Sequence, residues 1–221
     1  MKRLAFLIST LMVVSLAANA QFLRFGVKGG VSSSTVKIDK TTFSTADNAQ
    51  SFIVEQGDSK MGLHFGVFGR IQVLGFYVQP ELLFTQSKGE VILTNITNSN
   101  SPTTDIREQK FNKFDIPVMV GWKFGPARIG LGPVASFMLS EDDGLKDKLA
   151  DVTNETVKSN FKNATFGYQI GVGLDILKFA TLDVRYEGNL SKLGDGVNIA
   201  DKPYQFDQRN PQWIFSLGIF F

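Results

Sequence analysis

The sequence predicts an all-β fold: eight antiparallel strands closed into an up-and-down transmembrane β-barrel, with short periplasmic turns at one end and long extracellular loops at the other. Three observations carry the prediction. Apolar residues recur at every second position in segment after segment, which is the period of a strand and not of a helix. The intervening positions hold glycine or charge, a face too small and too polar for an ordinary globular core. The connections between segments alternate long and short along the chain.

The alternation is plainest in residues 166–188. Tyr168, Ile170, Val172, Leu174 and Ile176 share one face, with Gly167, Gln169, Gly171, Gly173 and Asp175 on the other. After a turn at Leu177, Lys178 and Phe179 the pattern resumes: Leu182, Val184 and Tyr186 oppose Thr181, Asp183, Arg185 and Glu187. In a barrel placed in lipid the large apolar side chains point outward and the small or charged ones inward.

The chain opens with Lys2 and Arg3, an apolar run and Ala18-Asn19-Ala20, the pattern of a secretory signal peptide cleaved after Ala20. The uncharged run is shorter than the roughly 20 residues a membrane helix needs. Residues 1–20 are therefore read as the leader and 21–221 as one barrel domain, with no linker or composition shift to divide it. Removing the two leader cations leaves as many basic as acidic residues, against the basic surface expected of a nucleic-acid binder. The chain has no cysteine, which excludes disulfides, thiolate chemistry and a lipid anchor on cysteine.

The first strand is predicted at 22–31, with Leu23, Phe25, Val27 and Val31 outward and Arg24, Gly26, Lys28 and Gly30 inward. A long loop is expected from Ser32 to about Lys60. Residues 62–73 place Leu63, Phe65, Val67, Ile71 and Val73 opposite His64, Gly66, Phe68, Arg70 and Gln72. A Leu74-Gly75 turn leads to the third strand, where Phe76, Val78, Leu82 and Phe84 oppose Tyr77, Gln79, Glu81 and Thr85. Pro80 is expected to mark a bulge, because proline removes a ladder hydrogen bond. Residues 88–110 are polar, with Val91, Ile92 and Leu93 suggesting a strand that runs on beyond the membrane.

The fourth strand, 111–124, sets Phe114, Ile116, Val118, Val120 and Trp122 against Asp115, Pro117, Met119, Gly121 and Lys123. Gly125-Pro126 is a short turn into a fifth strand at 127–139, with Arg128 inward. The loop at 140–163 carries Leu145, Leu149 and Val152 at helical spacing, suggesting a short surface helix. The hairpin above supplies strands six and seven, a fourth long loop occupies 191–210, and the last strand runs from Gln212 to the terminal Phe221.

Seven connections alternating long and short put both termini on the short-turn, periplasmic side. Trp122, Tyr168, Tyr186 and Trp213 are candidate interfacial aromatics. The expected inward charges are Arg24, Lys28, Arg70, Lys123, Arg128 and Arg185 against Glu81, Asp115, Asp175, Asp183 and Glu187. An eight-stranded interior is just wide enough for side chains to fill. Such charges are expected to pair across the lumen as a structural network, since an unpartnered buried charge is costly.

The motifs Phe25-Gly-Val-Lys-Gly-Gly-Val31, Tyr77-Val-Gln-Pro-Glu-Leu-Leu-Phe-Thr-Gln86 and Phe114-Asp-Ile-Pro-Val118, with the glycine-rich 167–188 hairpin, resemble the outer-membrane β-barrel (porin-like) domain family common in Bacteroidetes. The resemblance covers the chain after the leader. It implies an eight-stranded outer-membrane barrel with no defined activity, and it brings no functional residues.

No catalytic constellation is legible. His64, the only histidine, has no nucleophile identifiable beside it, so a hydrogen-bonding role is expected. Glu141, Asp142, Asp143 and Asp147 do not have the spacing of a calcium loop and read as a solvated acidic tip. No phosphate loop, dinucleotide fingerprint or metal-ligand set appears, so no cofactor is expected. The expected partners are outer-membrane lipid and the barrel-assembly machinery, the latter through the C-terminal aromatic strand. The extracellular ligand is not identified, and a monomer is expected. The preferred reading is a structural or surface-interaction barrel with a filled lumen. Its alternatives are a small channel, a barrel enzyme, and a soluble lipocalin-like carrier in which Phe65, Leu82, Val118 and Leu217 would line the cavity.

Overall fold

The computed structural model describes residues 23–35, 37–38, 40–44, 51–97, 102–143, 157–161, 164–192, 194–199 and 202–221. Its strands are β1 (Leu23–Ser34), β2 (Lys37–Ile38), β3 (Thr41–Ser44), β4 (Ser51–Val73), β5 (Phe76–Asn95), β6 (Thr103–Phe124), β7 (Ala127–Asp143), β8 (Val157–Phe161), β9 (Ala164–Ile176), β10 (Ala180–Asn189), β11 (Gly194–Ile199), β12 (Lys202–Arg209) and β13 (Gln212–Phe220). Eight of them, β1, β4, β5, β6, β7, β9, β10 and β13, form a closed antiparallel ring. Closure runs through β1, where Val27 pairs with both Ile219 and Val67. Backbone groups are thereby satisfied all round, as lipid demands.

The side chains have the orientation of a barrel in lipid. Phe65, Leu82 and Leu217 are 62%, 48% and 50% exposed, while Arg70, Glu81, Arg185 and Glu187 are 1–4% exposed. This is the reverse of a soluble carrier. Along β5 the outward apolar run from Phe76 to Phe84 rises about 20 Å at ~3.4 Å per residue and ~40° of tilt, close to the roughly 25 Å apolar band of such barrels. Aromatics rim the band. Near the short turns Trp122 contacts Phe76 and Phe124, and at the other end Tyr186 and Trp213 meet edge to face at 5.3 Å.

Above the band the strands continue, and their pattern inverts. On β5 the outward face changes to Gln86 and Lys88, and the inward face to Val91 and Leu93, which are 0% and 2% exposed. Phe52 and Val54 on β4 and Phe111 on β6 join them at 0–1%. Polar outside and apolar inside is the arrangement for water, so the switch marks the membrane boundary. A row of hydrogen bonds from Gln86 to Asn112 and from Asn112 to Ser140 runs along it. Two one-residue register shifts between β4 and β5, within 56–63, lie beside it.

The extension replaces much of the expected loop. β4 begins at Ser51, β5 reaches Asn95, β6 starts at Thr103, and β8, β11, β12 and β2 form a second four-stranded sheet within the stretches read as loops. Of the expected acidic tip, Glu141, Asp142 and Asp143 end β7 opposite Phe111, Lys110 and Gln109, whereas Asp147 and the helix suggested by Leu145, Leu149 and Val152 lie outside the described residues. The bulge at Pro80 is not formed. Phe68 pairs with Glu81 and Ile71 with Val78 in one unbroken register, and only the Gly69–Pro80 and Arg70–Gln79 bridges are missing between them. Proline's missing N–H removes local bonding without shifting the strand.

The three short turns differ in strain. Gly125 takes a positive φ of 58°, which glycine tolerates. Leu74 and Leu177 also sit in the left-handed region, at 48° and 56°. For a residue with a Cβ that region costs about 1–2 kcal/mol. Gly75, at φ 88°, follows Leu74, and a Cβ there would come within 3.0 Å of Trp122 Nε1.

Candidate functional site

Seven strands of the ring contribute to a set of buried charges in the lumen and β13 adds Gln212 and Ser216, because inward positions on all eight fall at every second residue. At the short-turn end Asp175 of β9 receives Arg70 Nη1 at 2.9 Å, Lys123 Nζ, and Arg128 Nε at 3.4 Å. At mid-height Glu81 of β5 and Asp183 of β10 are shared by three cations. Lys28 lies 3.0 Å from Glu81 and 3.2 Å from Asp183, Arg185 lies 2.8 Å and 3.3 Å from the same two groups, and Arg128 Nη2 is 2.7 Å from Asp183. Towards the extracellular end Lys113 bridges Asp115 at 3.3 Å and Glu187 at 3.2 Å. Glu187 also accepts from Gln169 at 2.7 Å and Gln212 at 2.9 Å.

These groups bond continuously from one end to the other: Arg70 and Arg128 both donate to Gln79, Gln79 to Glu81, and Arg185 to Gln169. The cavity beside Lys28, His64, Glu81 and Asp115 measures about 10 Å³. That admits one water at most. Buried in this way, each charge depends on its partners, because removing one leaves the other buried and uncompensated.

Luminal glycines make the crossings possible. Gly173 of β9 pairs with Arg128 on one side and Asp183 on the other. A Cβ there would lie 2.5–2.6 Å from the guanidinium, so Arg128 reaches Asp183 across the bare backbone. Gly26 sits between Phe68 and Phe220, whose rings meet at 5.0 Å. Gly30 sits between His64 and Ser216, and His64 Nε2 lies 2.8 Å from Ser216 Oγ. In each case the missing side chain lets residues on the two flanking strands touch.

Of the charges read from the sequence, Lys28, Arg70, Glu81, Asp115, Lys123, Arg128, Asp175, Asp183, Arg185 and Glu187 are brought into this network. Arg24 is not paired there. It lies half-buried at the short-turn rim, donates to the Lys178 carbonyl and stacks on Phe220 at 3.5 Å from the ring centre. Lys113 belongs to the network and is missing from the sequence reading, although it shares the parity of Asp115 and Lys123. Ser216 is likewise the hydroxyl beside His64 that the sequence did not disclose.

The His64–Ser216 pair lacks the rest of a hydrolytic site. His64 Nδ1 has no side-chain partner to orient it, the two residues are 4% and 6% exposed, and the adjoining cavity has no space for a substrate. Among the described residues no group of three metal-ligating side chains converges.

A closed antiparallel ring, an apolar band outside and paired charges within define an integral outer-membrane β-barrel protein. The chain belongs to the outer membrane protein beta-barrel domain family, which matches residues 18–195. Among solved structures it is similar to Ail, the attachment invasion locus protein of Yersinia pestis, solved with the heparin analogue sucrose octasulfate. That pair shares 14% identity over 90% of this chain and 99% of the other, with a TM-score of 0.44. It is also similar to the outer membrane protein OprG from Pseudomonas aeruginosa, at 12% identity, 90% and 95% coverage and a TM-score of 0.46. The translocator domain of the autotransporter NalP from Neisseria meningitidis follows at 8% identity, 99% and 95% coverage and a TM-score of 0.37. No curated protein matches the chain.

Proposed function

We propose that this protein is a sealed, monomeric outer-membrane barrel that acts through its extracellular β extension and not as a pore or an enzyme. The observation that carries the reading is the occupied lumen: charges bonded from end to end around a cavity of about 10 Å³. A hydrated ion needs a continuous water column, and a cavity this small among bonded side chains favours a lumen without one. The extension supports the same reading. It holds its own apolar interior of Phe52, Val54, Val91, Leu93 and Phe111 and turns Lys60, Lys88, Glu108 and Lys110 outward, as a folded surface module would.

The chain reaches the membrane with its leader cleaved after Ala20, and the C-terminal strand with Trp213, Phe215, Leu217, Ile219 and Phe221 facing outward presents it to the barrel-assembly machinery. N-terminal sequencing of the membrane-inserted protein should begin at Gln21; a retained leader would refute that step. The pore reading is tested by solute influx into vesicles carrying the refolded protein. Swelling in a small sugar should match empty vesicles, and rapid influx through folded protein would overturn the proposal.

A further inference from the structure

Leu74 and Leu177 form a pair the barrel itself does not explain. Each sits at a short turn, each is held in the left-handed region, and each is exposed, by 92% and 73%. At Leu74 both central turn residues have positive φ, at 48° and 88°. That is the turn in which Asn-Gly is the favoured pair. A leucine there is strained and, among the described residues, almost bare of contacts at 92% exposure.

The surroundings identify the occupant as lipid. The turn leucines adjoin the apolar band: Val73 and Phe76 flank the first at 45% exposure each, and Ile176 and Phe179 flank the second at 39% and 55%, with the exposed Lys178 between Leu177 and Phe179 at the rim. Trp122, an aromatic of the lower girdle, lies against Gly75. Arg24 near the second turn turns back, donating to the Lys178 carbonyl and stacking on Phe220, as a cation at an apolar rim does. The two turns also oppose each other. In the ring, β6 and β7 separate the β4–β5 hairpin from the β9–β10 hairpin on one side, and β1 and β13 on the other.

We infer that Leu74 and Leu177 are lipid anchors, inserted into the acyl region of the periplasmic leaflet on opposite sides of the barrel, where they set its depth and tilt. Two anchors across a diameter oppose tilt in both senses, adding to the hold of the apolar band.

The absence of cysteine makes the test direct. Single-cysteine variants Leu74→Cys and Leu177→Cys are labelled with an environment-sensitive fluorophore and refolded into phosphatidylcholine vesicles, with Leu82→Cys as the mid-bilayer reference and Thr103→Cys as the aqueous one. Lipids brominated near the top of the acyl chain should quench both turn labels at least half as strongly as Leu82→Cys, and aqueous iodide should leave them largely unquenched. Iodide quenching equal to that of Thr103→Cys, with no effect of brominated lipid, would overturn the inference and leave the turns facing a periplasmic partner. A second readout uses opposed signs. Leu74→Asn relieves the turn, so without lipid anchoring it should raise the folding equilibrium in vesicles; with anchoring it lowers it, roughly fivefold from the balance of leucine burial against left-handed strain. A rise would also overturn the proposal.

Discussion

Replacing Glu81 by alanine removes the acceptor for two buried cations, Lys28 at 3.0 Å and Arg185 at 2.8 Å, and for the Gln79 amide. Glu81 is 3% exposed. After truncation both cations still reach Asp183, at 3.2 Å and 3.3 Å, but Asp183 must then serve three positive groups, Arg128 included. Breaking a buried pair from one side costs about 3–5 kcal/mol, whereas a solvated pair is worth about 0–1 kcal/mol. The size of the loss therefore reports whether the lumen is dry. The expected destabilisation is about 3–5 kcal/mol, a roughly hundred- to several-thousand-fold fall in the folding equilibrium. Reversible urea unfolding in vesicles measures it, read from Trp122 and Trp213, which face lipid at 46% and 52% exposure. Removing Lys28 as well should recover about 1–3 kcal/mol of the sum of the single losses. A Glu81→Ala cost below about 1 kcal/mol would refute the reasoning, because only solvated charges part so cheaply.

Gly173→Val should displace Arg128 from Asp183, since a side chain there meets the guanidinium at 2.5–2.6 Å; a loss of about 1–3 kcal/mol is expected in the same unfolding assay, and wild-type stability would contradict the crossing. Phe52→Ala, at a site 1% exposed in the extension, should open that module to protease while the barrel keeps its heat-modifiable gel mobility, and unchanged protection would show that the extension does not rest on this core. The Lys60 hydrogen bond holds Glu90 below its ordinary value of 4.5 and raises Lys60 above 10.5. The lowered carboxyl contributes stability above pH 4.5 that is lost as pH falls through its folded value, and the raised ammonium contributes below pH 10.5 and fades as pH rises through its own. Carbon-13 titration of Glu90 should show the depression and its loss in Lys60→Met; a Glu90 titrating normally beforehand would contradict the pairing.

The barrel was legible because lipid enforces one rule along its whole height. From Tyr168 to Ile176 and from Phe76 to Phe84 every outward residue had to be apolar, so parity alone sorted inside from outside. The same rule hid the extension. Beyond Gln86 the solvent changes, the faces exchange character, and the outward alternation that identifies a membrane strand ends although the strand does not. Val91 to Leu93 was the remaining trace. Contacts between strands were harder. The 177–179 turn sets Gly173 opposite Asp183, but Arg128 meets them only through the β7–β9 register, across a long connection whose length does not set that register. Ser216 meets His64 across β1, though the two lie 152 positions apart in the chain. Lys113 shares the parity of Asp115, but it lies near the predicted strand start at 111, where the outward positions Asn112 and Lys110 are polar and parity alone does not separate the faces.

Single-channel recording of the refolded protein in a planar bilayer tests the sealed lumen most directly, once heat-modifiable gel mobility has shown the protein to be folded. The account predicts a silent membrane, and predicts that Arg70→Ala or Arg185→Ala is needed before any current flows. Stable openings of the unaltered protein, changed in size by those same substitutions, would contradict it and make the charge network the lining of a channel.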